Sequence, residues 1–239
     1  MAWRSWGTIF EQLPPVDGRL VLDLGCGIGD QAAELVTRGA RVIGLDANAE
    51  LLAVARGRAL PRAEFFEGDL RNLPDIGEPA DGLWCSFAAA YFPGLSSVLS
   101  SWKRVLRPGG WAALTEVDDL FGHQPLDARV SERLEAYAAE SLRAGRYDFF
   151  MGRKLVEHLR GADFEVARVF EVPDRELSFE GAAPLEVLEA WRRRFDRMRL
   201  LRDFCGPAFE QVRDAFLQCL ASEGHRASAR VTCCIARAR

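Results

Sequence analysis

From Arg19 onward, short apolar runs alternate with segments whose apolar residues recur at helical spacing. RLVLDLG reads as a buried strand, and a helix through Ala32, Leu35 and Val36 follows it. RVIGLD is a second strand and AELLAVARGRA a second helix; AEFFEGD and DGLWCSF give a third and a fourth strand. A helix through Val98, Trp102 and Val105 then runs into the breaker RPGG, after which WAALTEVD is the fifth strand. Strands alternating with helices imply parallel pairing through right-handed crossovers. The rhythm changes beyond Asp118. Val130, Leu134, Tyr137, Ala138 and Leu142 form the stripe of an amphipathic helix that stops near Gly145. A helix in GRKLVEHLRG precedes a sixth strand, FEVARVFEV; two more helices, around 184–202 and 206–223, lead to a final strand, SARVTCCIARA. The expected fold is α/β, a doubly wound, mostly parallel seven-stranded sheet with a helical cover from the C-terminal part.

Length and composition fit a single domain over residues 1–239: nearly half the residues are apolar and 28% are charged. No window approaches the roughly 20 apolar residues that span a bilayer. The N-terminal MAWRSWGTIF lacks the apolar core and small-residue cleavage site of a signal peptide. A cytoplasmic location without a membrane partner is the default expectation. The net charge of −4 gives the whole molecule no general attraction for nucleic acid, so none is expected as a partner. Charge is nonetheless uneven, because residues 191–202 carry six arginines. These mostly fall off the stripe made by Val187, Leu188, Trp191, Phe195, Met198 and Leu201, so a solvated face is the first reading. A patch for an acidic substrate or for RNA phosphates is the second. Six cysteines without C-x-x-C spacing point to reduced, buried thiols, with neither a disulfide framework nor a metal site. Adjacent Cys233 and Cys234 should face opposite sides of the last strand.

The densest chemical signal is VLDLGCGIGD, where a buried strand ends in a turn carrying Gly25, Gly27 and Gly29. Those glycines let the backbone approach a ligand closely. The G-x-G-x-G spacing differs from the G-x-G-x-x-G of dinucleotide binders, and Asp23 stands just before it. A pyrophosphate on a helix N-terminus is poorly served by a neighbouring carboxylate. A ligand carrying an ammonium and a sulfonium has the opposite preference.

With these motifs the sequence resembles the class I S-adenosylmethionine-dependent methyltransferases, in particular the small-molecule branch akin to ubiquinone and menaquinone C-methyltransferases. The resemblance covers about Arg19 to Val117. It implies that Asp23, Gly25, Cys26 and Gly27 hold the methionine part of S-adenosylmethionine. It also implies that Asp46, with Ala47 beside it, takes the ribose hydroxyls, and that Asp69 and Leu70 bind and flank adenine. The fourth-strand motif DGLWCSFAAAYF brings in Phe87, and VLRPGGWAALTE matches the segment entering the fifth strand. Residues 1–18 would then be a cover segment, 19–117 the cofactor-binding half and 118–239 the substrate-side half. For Asp46 the competing role is a helix N-cap, which Asn48 also suits. For Asp69 it is a surface ion pair with Arg71.

The expected reaction is SN2 transfer of the methyl group to a small-molecule acceptor, with S-adenosyl-L-homocysteine as product and the acceptor atom (oxygen, nitrogen or carbon) open. An RNA or tRNA methyltransferase, an NAD oxidoreductase and a non-catalytic S-adenosylmethionine-binding protein are the alternatives. His123, in a loop just past the fifth strand, is a candidate base because an imidazole titrates near neutrality. Tyr147 is a second group that would deprotonate or orient the acceptor. Tyr91 and Phe149 are pocket candidates, beside Phe92 and Phe150, although core packing is the common fate of such residues. His158 and His225 read as structural, the latter in a surface loop. Trp3, Arg4 and Trp6 read as a segment packed on the fold or as a cover over the cofactor, with Arg4 reaching its carboxylate.

Overall fold

In a computed structural model, residues 6–239 are described; Trp3 and Arg4 lie outside them. The first half runs α1 (Trp6–Gln12), β1 (Leu20–Leu24), α2 (Asp30–Thr37), β2 (Arg41–Asp46), α3 (Ala49–Gly57) and β3 (Ala63–Glu67). Then come β4 (Ala80–Ser86), a 3-10 turn (Ala89–Tyr91), α4 (Leu95–Lys103) and β5 (Leu106–Asp118). The second half holds β6 (His123–Gln124), α5 (Ala128–Arg143), α6 (Met151–Gly161), β7 (Phe164–Glu171) and α7 (Leu185–Arg197). It closes with α8 (Arg199–Cys205), a 3-10 turn (Gly206–Ala208), α9 (Phe209–Leu220), β8 (Arg226–Ala227) and β9 (Arg230–Ala238).

Seven strands form one sheet in the order β3-β2-β1-β4-β5-β9-β7, with β6 and β8 paired separately. Strands β1 to β5 are parallel, while β9 runs antiparallel to both neighbours. The α/β, mostly parallel sheet is therefore as expected. All five residues of β1 are buried because apolar layers cover both faces of the sheet. Val21, Trp84 and Trp111 belong to one layer, and Leu22, Leu83 and Leu114 to the other. Cys233 and Cys234 fall in opposite layers, and all six cysteines are free and buried.

Two boundaries differ from the pattern. RPGG does not end an element before β5; it lies inside the strand. Pairing with β4 jumps from Ala80–Leu106 to Gly82–Trp111, so Arg107–Gly110 bulge outward where a proline and two glycines fit. The helical stripe expected through residue 202 breaks at Met198, whose ψ of 67° leaves the helical region. Phe195 and Leu201 are both fully buried. Six residues apart on a continuous helix they would stand about 240° around the axis, and the break brings both into the core.

Candidate functional site

The carboxyl ends of β1 to β4 frame a cleft of about 530 Å³, in the size range of small-molecule sites. Gly25, Gly27, Asp46, Ala47, Asp69, Leu70 and Phe87, all singled out in the sequence, line it together with Leu51 and Tyr91. Gly25 has φ +77°, and a Cβ there would lie 2.5 Å from the Ala88 Cβ, so only glycine passes this point. Gly27 has φ +52° with open space where a Cβ would stand. The loop is tied to β2 by Gly25 and Cys26, whose N–H groups both donate to the Leu45 carbonyl at 2.8 and 3.1 Å.

Asp46 fixes the loop from the other side. Its Oδ2 accepts from the Gly27 N–H at 2.8 Å and its Oδ1 from the Asn48 N–H at 2.9 Å. Asn48 is the N-cap of α3, accepting from Glu50 and Leu51, so Asp46 is not needed there. An ionised carboxylate offers about four acceptor sites, and about two remain. Phe87 follows β4 in the left-handed region at φ +56°, its N–H donating to the Thr115 carbonyl at 2.9 Å. Such a conformation in a bulky residue is held only by its surroundings. Trp6 contributes, meeting Phe87 edge-on at 6.1 Å, so α1 leans on the cleft wall.

Other predicted residues sit differently. Asp69 borders the cleft, but its carboxylate takes the Arg71 Nε at 3.0 Å on both oxygens, and this pairing holds it below the usual carboxylate range. The competing ion-pair reading therefore describes its carboxylate. Asp23 and Cys26 do not line the cleft. Asp23 is 2% exposed, and its Oδ2 has no hydrogen-bond partner among the described residues. Burial, with Asp46 nearby, pushes its carboxyl up to about 7. Burial likewise pushes the Cys26 thiol up, which leaves no reactive thiolate.

A second cavity, of about 510 Å³, shares Tyr91 with the first. Tyr91, Tyr147 and Phe149 come together in its wall with Tyr137. Tyr91 and Tyr147 meet edge-on at 4.9 Å, and Tyr147 meets Phe149 at 4.8 Å. Burial, reinforced by Glu116, lifts the Tyr147 phenol well above its ordinary value, so it stays protonated and is no base near neutral pH. Glu116 was missed in the sequence, although an acid between Leu114 and Val117 in the strand WAALTEVD was the available signal. It is fully buried near the end of β5 and accepts from the Ala90 N–H at 3.0 Å, while its Oε2 has no partner among the described residues. Burial pushes its carboxyl up to about 8. The same cavity is lined by Arg146, Arg194, Arg197 and Arg199; the last three come from the arginine-rich run read first as a solvated face and second as a patch for an acidic substrate or RNA phosphates.

His123 is not the loop base expected. It lies in β6, 2% exposed, packed edge-on against Trp191 and Phe216. Its Nδ1 is 2.9 Å from Nε2 of His225, which is itself buried and not in a surface loop. Burial first, then His225, lowers the His123 pKa to about 3, so it stays neutral and serves the packing. The cause is the closing of β8 over β6, a pairing of residues 102 apart that no local pattern announces.

Residues 21–110 match the family model described as a methyltransferase domain. The methyltransferase GfsG of Streptomyces halstedii is 31% identical over 206 residues, covering 79% of this chain and 73% of that one. The chain belongs to the class I S-adenosylmethionine-dependent methyltransferases. Trans-aconitate 2-methyltransferase of Azoarcus sp. is 38% identical over 113 residues, 46% of this chain and 44% of that protein. This methyltransferase spans about half the length, or less, of several further curated relatives, among them enzymes named for ubiquinone and demethylmenaquinone. In fold it is similar to the crystal structure of the [4+2]-cyclase SpnF, with a TM-score of 0.64, 21% identity, and coverage of 97% of this chain and 79% of that one. Among the described residues, no His/Cys/Asp/Glu group is arranged to hold a metal ion, and no helix is long and apolar enough to cross a membrane.

Proposed function

We propose that the cleft at the ends of β1 to β4 holds S-adenosylmethionine and that a small-molecule acceptor enters through the second cavity, across Tyr91. The observation that carries this reading is Asp46, anchored between Gly27 and Asn48 with acceptor capacity to spare on the cleft. Two vicinal ribose hydroxyls fit that capacity as charge-assisted donors. The charges of the cleft agree: Asp46 and Asp69 outnumber Arg71, and Asp23 lies behind the loop with an unpaired oxygen. A cation suits this setting. A pyrophosphate does not, since Asp30 already occupies the first turn of α2.

When bound, S-adenosylmethionine supplies an electrophilic methyl group on a positively charged sulfur, and SN2 displacement leaves S-adenosylhomocysteine. The work of the chain is placement. Gly25 and Gly27 let the backbone approach the methionine part, Leu70 and Phe87 flank the adenine, and Asp46 fixes the ribose. Cys26 and Asp23 act from beneath the loop, the latter by favouring positive charge above it. Tyr147 donates a hydrogen bond that orients the acceptor, while Tyr91 and Phe149 exclude water from the junction of the cavities. Alignment and water exclusion then lower the barrier without a dedicated base.

Calorimetry with S-adenosylmethionine, S-adenosylhomocysteine and NAD tests the reading: adenosyl ligands should bind and NAD should not. Indifference to both adenosyl ligands would remove it. A second reading is a cofactor-binding protein that does not transfer methyl groups; a protein of similar fold is named a cyclase. Release of S-adenosylhomocysteine in the presence of any acceptor decides against that one.

A further inference from the structure

The second cavity carries a charge pattern that the methyl-transfer reading leaves unused. Among the described residues, four arginines, Arg146, Arg194, Arg197 and Arg199, line it, and no Asp or Glu does. Two of them are already compensated. Arg146 pairs with Glu140, and Arg194 pairs with Glu176 while its guanidinium lies 5.1 Å over the Trp191 ring. The other two have no carboxylate partner among the described residues; Arg197 only donates its Nε to the Arg193 carbonyl at 3.1 Å.

An exposed guanidinium needs no partner in water, so the lack of one is not sufficient evidence. The backbone supplies the second observation. Arg197, Met198, Arg199 and Leu200 are consecutive, yet all four line the same cavity. A continuous helix would spread four successive side chains over about 300°. They converge because α7 stops at Arg197 and α8 starts at Arg199, with Met198 out of the helical region. The break brings two uncompensated guanidinium groups to one rim, facing a wall of Tyr91, Tyr137 and Tyr147. A third observation agrees: Arg146 Nε and Arg194 Nε are shut off from solvent and have no hydrogen-bond partner among the described residues.

We infer that the acceptor is a small molecule carrying an oxyanion, held by Arg197 and Arg199 at the mouth of the second cavity, with an aromatic or apolar body against the tyrosines. The inference rests on the reading of the first cleft as the cofactor site. A guanidinium fork matches the two oxygens of a carboxylate or phosphate, and the tyrosine faces suit a planar body. A neutral acceptor would leave the two like charges on that rim uncompensated.

The test is a binding panel by calorimetry, run with and without saturating S-adenosylhomocysteine. The probes are trans-cinnamate, phenyl phosphate, cinnamyl alcohol and tRNA, against wild type, Arg197→Gln, Arg199→Gln and the corresponding lysine variants. Both positions are exposed, so the variants should fold as wild type does. At least one anion should bind about tenfold or more tightly than the alcohol. The glutamine variants should lose that preference and the lysine variants retain part of it, while affinity for S-adenosylhomocysteine stays unchanged. Comparing carboxylate with phosphate identifies the oxyanion. Three results overturn the inference: no anion binding below about 10 mM, equal binding of acid and alcohol, or a fall in S-adenosylhomocysteine affinity in the glutamine variants, which would assign the arginines to the cofactor's own carboxylate. Binding of tRNA lost in the same variants overturns it in favour of nucleic acid. Failure of S-adenosylhomocysteine to bind wild type would instead strike the cofactor reading, and the arm without it still reports on the anion.

Discussion

Replacing Asp46 by alanine removes two things at once, and the structure shows how to separate them. The first is a pair of hydrogen bonds to the ribose hydroxyls. The second is the tie between Gly27 and Asn48, because both backbone N–H groups donate to this carboxylate, at 2.8 and 2.9 Å. Hydrogen bonds to a charged group contribute about 1.5–3 kcal/mol each, but the freed hydroxyls regain water at the cleft mouth. A net loss of about 1.4–3 kcal/mol follows, or one to two orders of magnitude in dissociation constant. The assay is calorimetry with S-adenosylhomocysteine and its 2′-deoxy analogue on wild type and Asp46→Ala. If the carboxylate holds the ribose, wild type should prefer the hydroxylated ligand and the variant should lose that preference, since the two perturbations share one interaction. If the variant merely loosens the glycine loop, both ligands should weaken by the same factor. Equal weakening in a folded protein, or no weakening at all, refutes the ribose assignment.

Other outcomes follow from the same geometry. Gly27→Ala should leave the fold intact, because the space for a Cβ is open, but place a methyl in the cleft from a strained φ of +52°; we expect at least about tenfold weaker S-adenosylhomocysteine binding with a melting midpoint lowered by a few degrees. Asp23 and Glu116 hold protons in the folded state up to about pH 7 and 8, whereas their free forms lose them near 3.8 and 4.5. The native state thus binds more protons than the unfolded state across that window, so stability of the ligand-free protein should fall as pH rises from about 5 to 8. Denaturant midpoints across that range check this, and Asp23→Asn or Glu116→Gln should flatten the slope. For the same reason, affinity for the cationic S-adenosylmethionine should rise with pH through about 7 more than affinity for uncharged-sulfur S-adenosylhomocysteine does; parallel profiles would exclude Asp23 as the group that senses the sulfur. Tyr147→Phe should lower turnover without shifting the pH profile, whereas a shifted profile would show that the phenol titrates.

What the sequence disclosed, and what it withheld, divides by the range of the interactions. The sheet and the cleft were legible because each strand carries its own apolar run and each functional group sits at the strand's last residue or within two residues beyond it. Parallel strands end on the same edge, so Gly25, Asp46, Asp69 and Phe87 converge once the alternation is recognised. Asp69 shows where local reading weakens: Arg71, two residues on, competes for its carboxylate, and spacing alone does not choose between ligand and neighbour. His123 shows where it fails. Its role depends on His225, more than a hundred residues away, and on a two-residue ladder with no periodicity to detect. The arginines show a subtler limit: most are exposed, as a solvated face requires, yet three of them also border the cavity. Their helical stripe was read correctly for Val187, Trp191 and Phe195, all fully buried, but a stripe assumes an unbroken helix. One residue outside helical geometry, Met198, turns side chains that a helical wheel sends to solvent toward a shared cavity. If that break is what directs them, the acceptor's charge is set by the backbone at one position more than by arginine count. Residues 192, 193 and 202 supply the contrast. They lie in the same run, carry the same charge, and do not border the cavity.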